Sequence, residues 1–208
     1  FLGEIITIIE LEYDAPVPDR CGTCTRCIDA CPTDAIIEPY ILDSRLCISY
    51  LTIELKDKIP HEFREEVQNN IYGCDICQDV CPWNKRAHIS DKTEFEPREG
   101  LLNPDLSYLS SLSVDEFRKQ FKGSPIKRTK RRGLLRNVMI AMGNSGEKSF
   151  VPYITECLKD EEPLVRAHAL WALWKIEGVT SKEILINCRD IENNSIVIDE
   201  IDKILSSI

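Results

Sequence analysis

The chain has 208 residues, 43% hydrophobic and 29% charged, with a formal net charge of -9. This length accommodates one large core or two small ones, no apolar run approaches the roughly 20 residues of a membrane span, and the acidic balance argues against a protein that coats nucleic acid. Ten cysteines in a chain of this size, without an apolar leader, fit a reducing compartment, the cytoplasm, and argue against a secreted disulfide framework.

The sequence opens on Phe1 where an initiator Met is expected, and residues 3–12 predict one or two strands of a larger sheet. The expectation is therefore the carboxy-terminal part of a longer protein. Residues 13–20, with Pro16 and Pro18, predict an extended linker.

Two cysteine groups follow. The first is Cys21-x2-Cys24-x2-Cys27-x3-Cys31-Pro32; the second is Cys47 followed by Cys74-x2-Cys77-x3-Cys81-Pro82. The first matches the bacterial two-cluster ferredoxin run, in which the fourth Cys ligates the other cluster. Two four-iron four-sulfur clusters are thus expected, one on Cys21, Cys24, Cys27 and Cys81, the other on Cys31, Cys47, Cys74 and Cys77. Structural zinc is the competing reading, but zinc sites use C-x2-C pairs, whereas the first run crowds a third Cys at x2 and a fourth at x3 into one segment. Residues 48–73 form an insertion where a simple ferredoxin has two residues. Cys157 and Cys188 stand alone in apolar surroundings and read as small core residues.

Within this region, residues 33–36 and 40–42 predict short paired strands, and 61–70 a helix opened by Pro60. His61 and His88 lie on polar segments and read as surface residues in preference to metal ligands. Beyond Pro104 the pattern becomes helical. Ser113 and Glu116 form a capping-box signature, and helices are predicted over 133–142, 150–158, 163–176, 181–188 and 195–205. The run Asp160-x2-Pro163-Leu164-Val165-Arg166-x2-Ala169-Leu170-x-Ala172-Leu173 has the character of a HEAT-type repeat, with room for about two repeats. Met139, Met142, Trp171 and Trp174 read as its core.

Charge is distributed unevenly. From 117 to 146 there are nine basic residues and no acidic one. Such a run is usually a solvated helix face, but without acidic partners at i, i+4 it reads here as a nucleic-acid contact built from Lys127, Arg128, Lys130, Arg131, Arg132 and Arg136. The fold class expected is α+β: a two-cluster ferredoxin-like domain over 21–100, preceded by the end of a truncated domain and linker over 1–20, and followed by an all-α HEAT-like domain over 101–208.

Several segments together carry a family resemblance: the first cysteine run; Arg45-x-Cys47-Ile48-Ser49-Tyr50-Leu51-Thr52-Ile53-Glu54; Ile71-Tyr72-Gly73-Cys74-Asp75-x-Cys77-Gln78-x2-Cys81-Pro82-Trp83-Asn84; Gly123-Ser124-Pro125-x-Lys127-Arg128; and Gly133-Leu134-x-Arg136-Asn137. Over most of 3–176 the chain resembles the epoxyqueuosine reductases. The resemblance implies reduction of epoxyqueuosine to queuosine at the tRNA wobble position, with two four-iron four-sulfur clusters passing electrons to cobalamin. It implies cobalamin contacts from Ser49, Cys74 and Asp75, an electron donor such as ferredoxin or flavodoxin, and a monomer when full length. It also implies an amino-terminal domain holding most of the cobalamin contacts and the general acid, so no catalytic acid is assigned and this fragment alone is expected to be inactive and prone to self-association. Two other readings stand beside it: a ferredoxin-like electron carrier fused to a helical interaction module, and a nucleic-acid or acidic-protein binding module with structural clusters.

Overall fold

The computed structural model describes residues 3–19 and 21–207. Residues 3–19 form no strand, contrary to expectation, and Ile5, Ile6, Ile8 and Leu11 stand exposed. A strand requires a neighbour to take its backbone groups, and no described segment pairs with this one.

The cysteine-rich region is built from short pieces: α1 (Arg26–Asp29), a hairpin of β1 (Ile36–Glu38) and β2 (Ile41–Leu42), α2 (Ile48–Ile53), α3 (His61–Arg64) and α4 (Ile76–Asp79). The hairpin is antiparallel, pairing Ile36 with Leu42 and Glu38 with Ile41 across an irregularity. Its first strand starts later than expected because Asp34 turns the chain at φ 51°, donating its N–H to the Cys31 carbonyl at 3.2 Å. The helix expected over 61–70 is regular only through Arg64. Gln68 takes φ 54°, and Asn144 Nδ2 caps the Arg64 and Gln68 carbonyls at 2.8 and 2.9 Å, which ends the helix in turns.

The helical part comprises α5 (Leu106–Ser110), α6 (Val114–Gln120), α7 (Lys130–Ser145), α8 (Val151–Cys157), α9 (Pro163–Glu177), α10 (Lys182–Ile191) and α11 (Ser195–Leu205). The capping box at Ser113 is present, with Ser113 N–H donating to Glu116 Oε2 at 2.8 Å and Glu116 N–H returning to Ser113 Oγ at 3.3 Å. Helices α7 and α9 form the central pair. They approach closely because Gly143 has no side chain: a Cβ there would lie 2.7 Å from the Trp171 ring and 3.0 Å from Ala172 Cα. Met139, Met142 and Trp171 are buried as expected, and Trp174 packs partly buried against a smaller core with α10 and α11. Cys157 is buried and Cys188 half-buried.

Residues 48–67 do not belong to a separate cluster-domain core. Ile48, Leu51, Ile59 and Val67 pack in one apolar cluster with Leu134, Leu135, Val138 and Trp171. Two buried polar networks reinforce that junction. In the first, Arg136 of α7 donates to the carbonyls of Leu51 (2.6 Å), Leu55 (2.9 Å) and Asp57 (2.6 Å), and through Nε to Asn137 Oδ1 (3.0 Å). Asn137 Nδ2 in turn donates to Thr52 O and Ile71 O at 2.8 and 2.9 Å. In the second, Arg64 is fully buried, forks onto Glu200 of α11 at 2.6 and 3.0 Å, and lies 5.5 Å from the centroid of the Trp171 ring.

His61 is not the open surface residue expected: it is partly buried, with its Nε2 2.9 Å from Glu200 Oε1. His168, wholly buried, accepts the Ile59 N–H at Nε2 (3.3 Å), and its Nδ1 lies 2.8 Å from Leu164 O, a pattern that suits the neutral ring with its proton on Nδ1.

Burial pushes the Arg136 guanidinium down to about 10, still charged at neutral pH, so Arg136→Leu leaves the carbonyls of Leu51, Leu55 and Asp57 without this donor. It should lower unfolding stability by about 3 kcal/mol or more. A urea midpoint giving less than about 0.5 kcal/mol of change would contradict the clamp.

Burial, helped by the Arg64 charge, holds His168 well below its ordinary 6.5. The unfolded chain therefore binds a proton there that the folded chain refuses, and stability declines as pH falls below about 6.5. Burial alone would raise Glu200, but hydrogen bonds from His61 and Arg64 bring it down to about 2, so its contribution fades as pH falls from about 4.5 towards 2. Melting temperature should thus drop from pH 7 to 5, and His168→Gln should flatten that slope. An unchanged slope in the variant would assign it elsewhere.

Candidate cluster sites and basic groove

The two cysteine runs fold alike at an offset of 50 residues. In α1 the Ile28 and Asp29 N–H groups bond Thr25 O at 2.9 and 3.0 Å; in α4 the Gln78 and Asp79 N–H groups bond Asp75 O at 2.8 and 2.9 Å. The last cysteines match as well, Cys31 N–H to Ile28 O and Cys81 N–H to Gln78 O, both 3.2 Å. Each Cys-x2-Cys-x3-Cys-Pro unit is thus one helical turn ended by its proline step, and α1 and α4 pack together.

Cys31, the last cysteine of the first run, lines one cavity with Cys47, Cys74 and Cys77. Its volume is about 290 Å³, and its remaining wall is largely apolar, from residues such as Ala35, Ile36, Leu42, Ile48 and Ile76. Burial, and then the nearby thiols of Cys47, Cys77 and Cys31, push the Cys74 thiol up. At Cys31 burial acts in the same sense, but backbone N–H donors from Thr33, Ala35 and Ile36 outweigh it and bring the thiol down; the Ala35 N–H lies 3.3 Å from its sulfur. Four thiols lining one largely apolar cavity suit a cationic metal centre.

Among the described residues, no three His, Cys, Asp or Glu side chains converge enough to hold one metal ion. Tetrahedral zinc would draw its sulfurs to about 2.3 Å from a common point, whereas a four-iron cluster takes each thiolate at its own corner.

Cys21 is exposed, and Cys24, Cys27 and Cys81 are half-buried on the facing runs. Asp19 fixes the approach to Cys21, accepting its N–H at 2.8 Å and also the Tyr40 hydroxyl. That contact pushes the Tyr40 phenol up to about 12. Of the other residues expected at a cofactor, Ser49 is half-buried in the first turn of α2, and Asp75 is exposed at the start of α4, next to Cys74.

The basic stretch does not form one surface. Lys127, Lys130, Arg131 and Arg132 line a groove of about 1040 Å³ with Arg118, Lys159 and the acidic turn 160–162. Lys127 and Lys130 are exposed, and Lys130 holds φ 60°, which non-glycine residues rarely adopt. Arg128 is exposed but pairs with Glu54 at 2.6 Å. Arg131 forks onto Asp160 at 3.1 and 2.6 Å and donates to Leu112 O, while Arg132 lies 4.0 Å from Glu162.

Arg136 corrects the expectation outright. It is 0% exposed and its donors are taken by carbonyls and Asn137, so it cannot meet a phosphate. The acid-free run concealed this because its partners are backbone oxygens 79 to 85 residues away. Sequence reading also missed Arg64, Thr52, His168 and Glu200 as buried polar residues. Their signal was faint: Thr52 and His168 are polar side chains inside apolar helical stretches, while Arg64 stands in a charged segment that looks solvated.

Comparison with known proteins agrees with both parts. A 4Fe-4S double cluster binding domain matches residues 20–84, and HEAT repeats match 129–202. Epoxyqueuosine reductase of Salmonella typhimurium is 47% identical over 173 residues, covering 83% of this chain and 45% of the relative; that of Escherichia coli is 44% identical, covering 83% and 46%. A crystal structure of epoxyqueuosine reductase with an epoxyqueuosine-modified tRNA-Tyr stem loop superposes with a TM-score of 0.87 at 36% identity, covering 94% of this chain and 52% of that one. The enzyme from Streptococcus thermophilus superposes at 0.79 with 29% identity, covering 96% and 53%. The chain spans about half the length of the relatives it matches. With its α+β fold, paired cysteine runs and HEAT-like helices in the same order, it belongs to the epoxyqueuosine reductase family.

Proposed function

We infer that this chain is the electron-delivering and tRNA-facing part of a reductase that converts epoxyqueuosine to queuosine in tRNA. The observation that carries the reading is the single cavity shared by Cys31, Cys47, Cys74 and Cys77, in a chain with this family's cysteine runs and helices. One cluster is held by those four cysteines, the other by Cys21, Cys24, Cys27 and Cys81. Loss of an epoxide oxygen as water consumes two electrons and two protons, and two one-electron clusters match that demand in number. Exposed Cys21 makes its cluster the natural acceptor from a soluble carrier such as ferredoxin or flavodoxin.

Cobalamin, when bound, would supply a low-potential cobalt centre. Of the residues that would contact it, Cys74 lines the cavity, and Ser49 and Asp75 are the chain neighbours of its lining residues Ile48 and Ile76. No general acid is assigned among the residues of this chain. The full-length protein would work as a cytoplasmic monomer, and among the described residues no helix is long and apolar enough to cross a membrane. The functional division runs 1–20, 21–100 and 101–208, with residues 48–67 bracing the second part against the third.

Phosphate contact falls to Lys127 and Lys130, with Arg128, Arg131 and Arg132 beside them partly neutralised by Glu54, Asp160 and Glu162. Charge reversal at Lys127 and Lys130 together should weaken binding of an epoxyqueuosine-carrying anticodon stem loop and reduce the slope of log affinity against log salt by about 1–2. Unchanged affinity and slope would return the groove to an ordinary solvated surface.

The crossed ligand assignment has its own test. Cys31→Ala and Cys47→Ala should each remove the same cluster, leaving the same residual spectrum and about half the iron. Two different residual spectra would overturn it.

A further inference from the structure

Thr52 is fully buried near the end of α2. Its hydroxyl donates to Ile48 O at 2.7 Å within the helix and accepts the Gly73 N–H at 3.0 Å. Gly73 immediately precedes Cys74 and holds φ 81°. Two residues before it, Ile71 O is gripped by Asn137 Nδ2 at 2.9 Å, and the same Nδ2 holds Thr52 O at 2.8 Å. The peptide groups leading into Cys74 are therefore fastened by buried side chains from α2 and α7. The matching segment of the first run, residues 21–23, is exposed. The two cluster sites thus share a fold but differ in how their chains are held.

We propose that Thr52 is a positioning residue for the cluster on Cys31, Cys47, Cys74 and Cys77, fixing the Tyr72–Gly73 peptide that leads into Cys74 and with it the direction of the Cys74 thiolate. This rests on the ligand reading above and is independent of the RNA reading. Groups outside the ligand set orient the ligands and tune a metal centre, and cluster potentials respond to hydrogen bonding around the sulfurs. The Thr52 hydroxyl suits the role because its proton is committed to Ile48 O, which leaves its lone pairs for Gly73. Valine has nearly the same shape but no acceptor, so Thr52→Val leaves the Gly73 N–H unpaired in a half-buried place. Thr52→Ser keeps the oxygen.

The test uses the anaerobically reconstituted holoprotein as wild type, Thr52→Val and Thr52→Ser, with redox titration followed by electron paramagnetic resonance and with iron release to a chelator. Thr52→Val should shift the midpoint of one cluster alone and release half of the iron about tenfold faster, while Thr52→Ser matches wild type. Identical behaviour of Thr52→Val and wild type, or equal disturbance of both clusters, would overturn the proposal. A wild type that binds no cluster on these four cysteines would overturn the ligand reading and this proposal with it. Hydrogen exchange on the wild-type holoprotein gives a second check that needs no variant. The Gly73 amide should exchange about a hundredfold more slowly than the amides of Gly22 and Thr23; exchange at their rate would overturn the proposal.

Discussion

The structure depends on a buried cation that has no carboxylate partner. Arg136 of α7 closes its donors on the carbonyls of Leu51, Leu55 and Asp57 and on Asn137, which extends the grip to Thr52 and Ile71. A guanidinium suits this task because its fixed fork reaches several oxygens at once and stays charged when buried. The end of α2 supplies one oxygen, Leu51 O, since the last carbonyls of a helix have no partner within it, and the turn that follows supplies those of Leu55 and Asp57. The insertion between Cys47 and Cys74 thereby becomes the joint between the cluster region and the helices. Arg64, forked onto Glu200, adds a second joint between the insertion and α11.

This joint explains the asymmetry between two otherwise similar halves. Both cysteine runs make the same helical turn with the same hydrogen bonds, so local geometry alone does not distinguish them. The first run lies towards solvent, with Cys21 exposed and its approach tied by Asp19 and Tyr40. The second is backed by α2, α7 and the main apolar core. That order, an accessible first site and a firmly held second one, suits the electron path proposed for this chain.

Much of this was legible in the sequence because it rests on local rules. Cysteine spacing names the ligand runs, Ser113 and Glu116 announce the start of α6, Pro163 opens α9, and the nearly continuous apolar run from 163 to 174 gives a helix that packs on both sides. What stayed hidden involves partners far apart in the chain. The carbonyls that hold Arg136 are invisible to charge counting, so an acid-free run looked like an open basic face. His61 looked solvated because Glu200 lies on a helix 139 residues further on. The 3–12 segment reads as strand by composition, yet strand formation depends on a neighbour that no local pattern supplies.

The groove and the clusters lie on elements that share α7, whose first turn carries Lys130, Arg131 and Arg132 and whose second carries Arg136 and Asn137. One rigid helix therefore spans from the basic groove to the residues that grip the Cys74 segment. The central claim is that electrons from these clusters reduce a modified base presented at the groove. A single-turnover assay on tRNA carrying epoxyqueuosine, using the full-length protein reconstituted anaerobically with iron, sulfide and cobalamin, tests it most directly. The account predicts conversion to queuosine that is abolished by Cys47→Ala. No conversion, with eight irons and a corrinoid bound, would contradict it and favour an electron carrier with a different substrate.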